Sequence, residues 1–249
     1  MPAAGMAMRM AIIITITPMA DGELFDLLSW MSPAWPIGAF AHSGGLEWAV
    51  EAGHVTDRAS TCAWLTALIE QGAIHNDIVL FTHAWRAARA GDQPRLAEIA
   101  DLALAAQTGF ERQLESTAQG AAFVRIARAA AGVADFADRV AAMGDVESAY
   151  PVVTAILFAA RGIDFGRGLT AWLHAAVANL VSAAQRLVPL GQTDGQLVLR
   201  DCRPAILRAV MQAAALPDGD PFDAMGGCAL MAELGCMAHE TQYTRLFRT

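Results

Sequence analysis

Cys236 and His239 are the best-spaced pair of metal-ligating side chains in this sequence. Residues at i and i+3 share a helix face, and a soft thiolate beside an imidazole suits a transition metal. Two other pairs, His75/His83 and Cys228/Cys236, are eight residues apart. On a helix that separation is about 12 Å along the axis, too far for either pair to close on one ion alone. Asp218, Asp220 and Asp223 resemble the start of a calcium loop, but Ala229 stands where such a loop needs its twelfth-position Glu. A turn and a helix cap account for them better. The run Ala41-His42-Ser43-Gly44-Gly45 lacks the first glycine of a nucleophile elbow. Glu23/Asp26 and Asp135/Asp138 read as solvated helix faces rather than acid–base couples. No catalytic residue is assigned.

All 17 basic residues among the 249 are arginine. Without lysine there is no P-loop phosphate contact and no Schiff base. A net charge of −8 with scattered arginines argues against nucleic acid. Hydrophobic residues make up 55% and charged residues 17%, against about 25% charged in ordinary soluble domains. The most apolar stretch, between Arg167 and Arg186, is interrupted by His174, Asn179 and Gln185, so it reads as a helix buried in protein, not a membrane span. The sparse charge therefore implies surface covered by partners. The four cysteines form no C-x-x-C pair and read as buried thiols in a reducing compartment.

The elements that position these residues are helices. Residues 1–20 read as a disordered tail, and 21–249 as one all-α domain, a single bundle-like unit of about ten helices. Runs are expected over 72–90, 93–106, 133–143, 150–161, 166–187, 193–214 and 221–245. Cys62, Leu65, Leu68 and Ile69 share a face of a helix that Thr56 or Asp57 caps. Phe110, Leu114, Ala118, Ala121 and Val124 form an expected core stripe, leaving Glu111, Arg112 and Glu115 to solvent or a partner. Pro204, inside a run, predicts a kink or restart.

Three segments stand out. The first, Ser32 to Glu47, presents Phe40 on a loop stiffened by Pro33 and Pro36 and turned at Gly38. The second, Ser182 to Gln196, turns a helix corner through Pro189 and Gly191. The third, His239 to Thr249, carries Tyr243, Leu246 and Phe247 between arginines, although chain ends are usually polar. Read in order, S-P-x-x-P-I-G-x-F-x-H-S-x-G-L-E, V-P-L-G-Q-T-D-G-Q and H-E-T-Q-Y-x-R-L-F-R resemble the UreF family of urease accessory proteins. Trp35 and Ala39 stand where Leu and Gly are common, and Thr244 and Thr249 replace serine-like positions.

The resemblance implies a cytoplasmic, homodimeric adaptor with no reaction of its own. It would bridge a scaffold accessory protein (UreD/UreH) and the GTPase UreG, so that nickel reaches apo-urease. Nickel would be handled by the complex, with no cofactor bound by this chain directly, no nucleic acid and no membrane. An arginine finger acting on the partner GTPase is a further expectation. The expected partner surfaces are Pro36, Gly38, Phe40, His42, Ser43 and Glu47 in the loop, and His239, Tyr243, Arg245, Leu246, Phe247 and Arg248 in the tail. Arg245 is expected to reach carbonyls of the Pro36–Ser43 loop and hold Phe40. Two alternatives stay open: a nickel metallochaperone using Cys236 and His239, and an all-α enzyme with an unrecognised site.

Overall fold

Proline, glycine and short polar side chains set the helix ends. A computed structural model describes residues 18–144, 147–227 and 229–249, with side chains from Gly22 onward. The expected tail at 1–20 lies almost wholly outside the described residues. The helices are α1 (Pro18–Trp30), α2 (Leu46–Glu51), α3 (Arg58–Gln71), α4 (Ala73–Ala90), α5 (Gln93–Ala105) and α6 (Phe110–Ala130). They continue with α7 (Phe136–Ala141), α8 (Tyr150–Arg161), α9 (Phe165–Leu187), α10 (Gln192–Ala214), α11 (Pro221–Ala224) and α12 (Leu230–His239). No strand occurs among the described residues.

Capping chemistry explains these boundaries. Asp57 and Ser60 form a reciprocal capping box on α3. Asp92, Asp164 and Asp220 accept backbone N–H bonds at the starts of α5, α9 and α11. Pro151 sits in the first turn of α8, where its missing N–H costs nothing. Of the acidic trio, Asp220 is thus a cap, and Asp218 pairs with Arg86 at 2.8 Å.

The core centres on α4 and α8. Every residue from Pro151 to Ala159 is buried. Phe81 of α4 meets Phe158 edge-on at 5.9 Å and Trp172 of α9 at 5.8 Å. Around this pair lie α3, α6, α9 and α10. A smaller apolar cluster stands apart, built from Leu46, Ala49, Val55, Ala183, Ala184, Val188 and Phe247. It joins α2, the end of α9 and the C-terminal tail. No helix among the described residues is long and apolar enough to cross a membrane.

Three expectations need correction. The run 221–245 is not one helix: it breaks at Gly226, whose φ of 113° no helix tolerates, and residues beyond His239 are irregular. Pro204 does not restart α10. It removes one backbone bond on an exposed face, while Val198, Cys202, Ala205, Ile206 and Ala209 hold the helix to the core. The stripe on α6 holds at Val124, which is buried, and fails at the start of the helix. Phe110 is 67% exposed, whereas Glu111 and Glu115 are buried. Partners on α12, on the tail and on α6 itself make that burial tolerable, as described next. Of the cysteines, Cys202 is buried and Cys62 and Cys236 are half-buried, all three as free thiols, with the Cys62 and Cys202 sulfurs 3.9 Å apart.

Candidate functional site: the loop and tail lock

Gly45 lets α2 and α12 come together. Its φ of 79° is left-handed, and a Cβ there would lie 2.8 Å from Cys236 Sγ and 2.9 Å from Cys236 N. Only glycine meets both demands. The crossing brings Glu47 of α2 to His239 at the end of α12. Gly45→Ala should cost about 2–3 kcal/mol through backbone strain and overpacking. The check is urea denaturation, and an unchanged midpoint would contradict the packing described here.

His239 is completely buried between two carboxylates. Its Nε2 lies 3.0 Å from Glu47 Oε2 and its Nδ1 2.6 Å from Glu111 Oε2. Each ring nitrogen thus has a carboxylate oxygen within hydrogen-bond distance. Arg245 donates to the other oxygen of Glu111 at 2.9 Å. In this quartet the two buried carboxylates find their partners in the buried His239 ring and in Arg245, whose side chain reaches the surface, and such partners are what make a buried carboxylate tolerable.

Glu47 also holds the tail by its backbone. It accepts from Leu246 N at 2.6 Å and Phe247 N at 2.9 Å. Glu240, just past α12, accepts from Phe110 N at 3.0 Å, supplying the start of α6 with the cap that Gly109 lacks. Farther along, Arg248 N donates to Ala41 O at 2.8 Å and Ser43 N donates to Thr249 O at 2.6 Å. His42 Nδ1 meets Thr249 Oγ1 at 2.6 Å. Burial lowers the His42 pKa below its ordinary value, which favours the neutral ring. Phe247 drops into the small apolar cluster, with the Arg186 guanidinium 4.2 Å above its ring.

The loop is held from the body. Gly38, left-handed at φ 78°, leads into one 3₁₀ turn, Ala39–Ala41. Three successive carbonyls of that turn each meet a donor. Asn179 Nδ2 donates to Ala39 O at 2.9 Å, Arg186 to Phe40 O at 2.8 Å, and Arg248 N to Ala41 O. Phe40 itself remains 69% exposed. The expected contact of Arg245 with this loop is therefore wrong. Arg245 is committed to Glu111, and Arg186 takes the Phe40 carbonyl instead.

The structure brings the loop and tail residues together, though not all as surface. His42, Ser43, Glu47, His239 and Phe247 are buried and act as fasteners. Phe40, Tyr243 and Leu246 are exposed. Pro36 and Gly38 shape the turn before Phe40, and Arg248 serves through its backbone. Residues absent from the sequence-based expectation are Glu111, Arg186 and Asn179. Arg186 stands in the segment with the V-P-L-G corner, two residues before Val188, which lines the same cluster as Phe247. Its place in that segment was the available signal.

Behind the quartet lies a second buried ionic group. Arg112 of α6 pairs with Asp77 of α4 and, at 3.0 Å, with Glu115. Gln119 Nε2 donates to Glu115 Oε1 at 3.1 Å. Burial outweighs Arg112 and pushes the Asp77 carboxyl up to about 6. The Cys236 thiol, also buried, is pushed up to about 12. Cys236 is therefore a poor thiolate, and His239 has no nitrogen left over for a metal. No cluster of three potential metal ligands occurs among the described residues.

These features define a class: an all-helical protein whose buried charges fasten an exposed aromatic loop to its C-terminal tail. Residues 55–203 match the UreF family model. A urease accessory protein UreF of Rhodopseudomonas palustris (strain BisA53) is 46% identical over 226 residues, covering 91% of this chain and 93% of that protein. One from Bradyrhizobium sp. (strain BTAi1) is 43% identical over 244 residues, covering 97% and 98%. The chain belongs to the UreF family.

Proposed function

We propose that this chain is a non-catalytic adaptor in urease maturation, as its relatives' name suggests. On this reading it joins a UreD/UreH-type scaffold to the GTPase UreG in the cytoplasm, as a homodimer, while the assembled complex handles nickel for apo-urease. One observation carries the reading. Phe40 is exposed on a turn whose three carbonyls are each tied down. A rigid, solvent-facing aromatic is a good interface anchor because little entropy remains to be lost on binding. Tyr243 and Leu246, exposed on the fastened tail, extend the surface. Any effect on the partner's GTP hydrolysis would follow from docking.

The test is co-expression with both accessory proteins and recovery of the complex on the tagged scaffold. Arg186→Ala removes the donor to the Phe40 carbonyl and the cation over Phe247. It should lower recovery of the GTPase about ten-fold with unchanged helical content by circular dichroism, and Phe40→Ala should do the same. Full recovery in both variants would rule out the Phe40 turn as the docking element.

A further inference from the structure

Two of the free thiols meet across a helix seam. Cys62 lies on α3 and Cys202 on α10, helices that pack against one another, and the two sulfurs are 3.9 Å apart. Along the chain they are 140 residues apart, so only the fold makes them neighbours. Neither takes part in the loop and tail lock.

The two sulfurs are not equivalent. Cys202 has no accessible surface, whereas Cys62 keeps some, beside the exposed Ala59 and Ala63. Burial, with the Cys62 sulfur next to it, pushes the Cys202 thiol up to about 12. A reagent arriving from solvent therefore meets Cys62 first. A disulfide needs its sulfurs about 2.05 Å apart, so from 3.9 Å the pair must close by roughly 1.9 Å. The backbone of α10 is soft at this point. Pro204, two residues beyond Cys202, has no N–H for the carbonyl of Arg200, so the turn holding Cys202 lacks one rung of its ladder. Arg203 and Pro204 are both exposed, so no packing stiffens that side of the turn. Rotation of the two side chains and give in this turn can supply the approach.

We propose that Cys62 and Cys202 form a reversible oxidation site, in which a hydroperoxide oxidises Cys62 and Cys202 closes the disulfide. With hydrogen peroxide, the Cys62 thiolate takes one oxygen as the O–O bond breaks, giving a sulfenic acid and hydroxide. The hydroxide takes the Cys202 proton and becomes water. The Cys202 sulfur then attacks the sulfenic sulfur, the S–S bond forms, the S–O bond breaks, and the departing oxygen leaves as hydroxide. That hydroxide neutralises the proton released when the Cys62 thiol ionised. Two thiols are thus oxidised by two electrons and one peroxide is reduced to two waters. Two equivalents of a small thiol restore the pair by exchange.

The test exposes the reduced full chain to hydrogen peroxide, quenches it with N-ethylmaleimide and digests it with trypsin. Cys62 falls in peptide 59–86 and Cys202 in peptide 201–208, because Pro204 blocks cleavage after Arg203, while Cys228 and Cys236 share peptide 209–245. The native chain should yield 59–86 joined to 201–208 with no covalent dimer on a non-reducing gel, and dithiothreitol should reverse the link. With Cys202→Ala the Cys62 sulfenic acid should persist and be trapped by dimedone. With Cys62→Ala peptide 201–208 should stay reduced, the fold of each variant being verified by circular dichroism. In the unoxidised native chain iodoacetamide should label Cys62 about ten-fold faster than Cys202. Absence of the linked peptide, a link that forms only after unfolding in urea, or equal labelling of the two thiols overturns the proposal.

Discussion

Glu47→Ala should free residues 243–249 from the body while the central helices stay folded. The Glu47 carboxylate meets His239 Nε2 and accepts from Leu246 N and Phe247 N, so its loss leaves both tail N–H groups unsatisfied and the buried His239 ring with one carboxylate partner. Removing one partner of a buried pair typically costs about 3–5 kcal/mol, a large share of the roughly 5–15 kcal/mol that stabilises a domain. Much of that cost can be avoided by local opening, because the tail makes few contacts with the α4–α8 core. Hydrogen exchange read by mass spectrometry should therefore show protection lost in 243–249 and around Ala41–Ser43, with α4 and α8 little changed. Glu47→Gln keeps one acceptor oxygen and should fall between. Unchanged tail protection in Glu47→Ala would remove Glu47 from its assigned role.

Arg112→Met should destabilise the whole domain instead of one segment, again by about 3–5 kcal/mol. Asp77 and Glu115 would be left buried on α4 and α6 without their cation. The pH dependence has a definite sign. Asp77 already has a folded-state pKa above its unfolded value, at about 6 in the wild type. Such a group contributes stability below the unfolded pKa, near 3.8, and loses it as pH rises through the folded one. Without Arg112 the folded-state pKa rises further, so the penalty should grow between pH 5 and pH 8. Urea denaturation of both proteins across that interval measures it. A penalty that shrinks with rising pH would contradict the assigned pairing.

Much of the fold was legible because helix ends are written locally. Asp57 and Pro151 act on their own first turns, so reading nearby residues sufficed. The failures have one cause. Helical spacing shows which residues share a face but not what that face meets. Glu111 and Arg112 read as facing solvent or a partner because the groups they meet, His239 and Asp77, are 128 and 35 residues away. The same limit misassigned Arg245 to the loop when Arg186, on another helix, holds it. The loop and tail were found from composition, since exposed aromatics in a stiffened turn and near a chain end are unusual wherever they sit. That the V-P-L-G corner adjoins the cluster seating Phe247 required the tertiary structure.

The hydrogen bonds from Leu246 and Phe247 to Glu47 span 199 and 200 residues. No growing chain can close them until Leu246 and Phe247 have left the ribosome. Arg248 N and Thr249, which fasten Ala41 and Ser43, arrive later still. The turn bearing Phe40 is synthesised early but gains its full set of fasteners last. Chains cut short of Leu246 thus carry the same aromatic on a looser turn, and rigid presentation of Phe40 waits on the residues that follow His239.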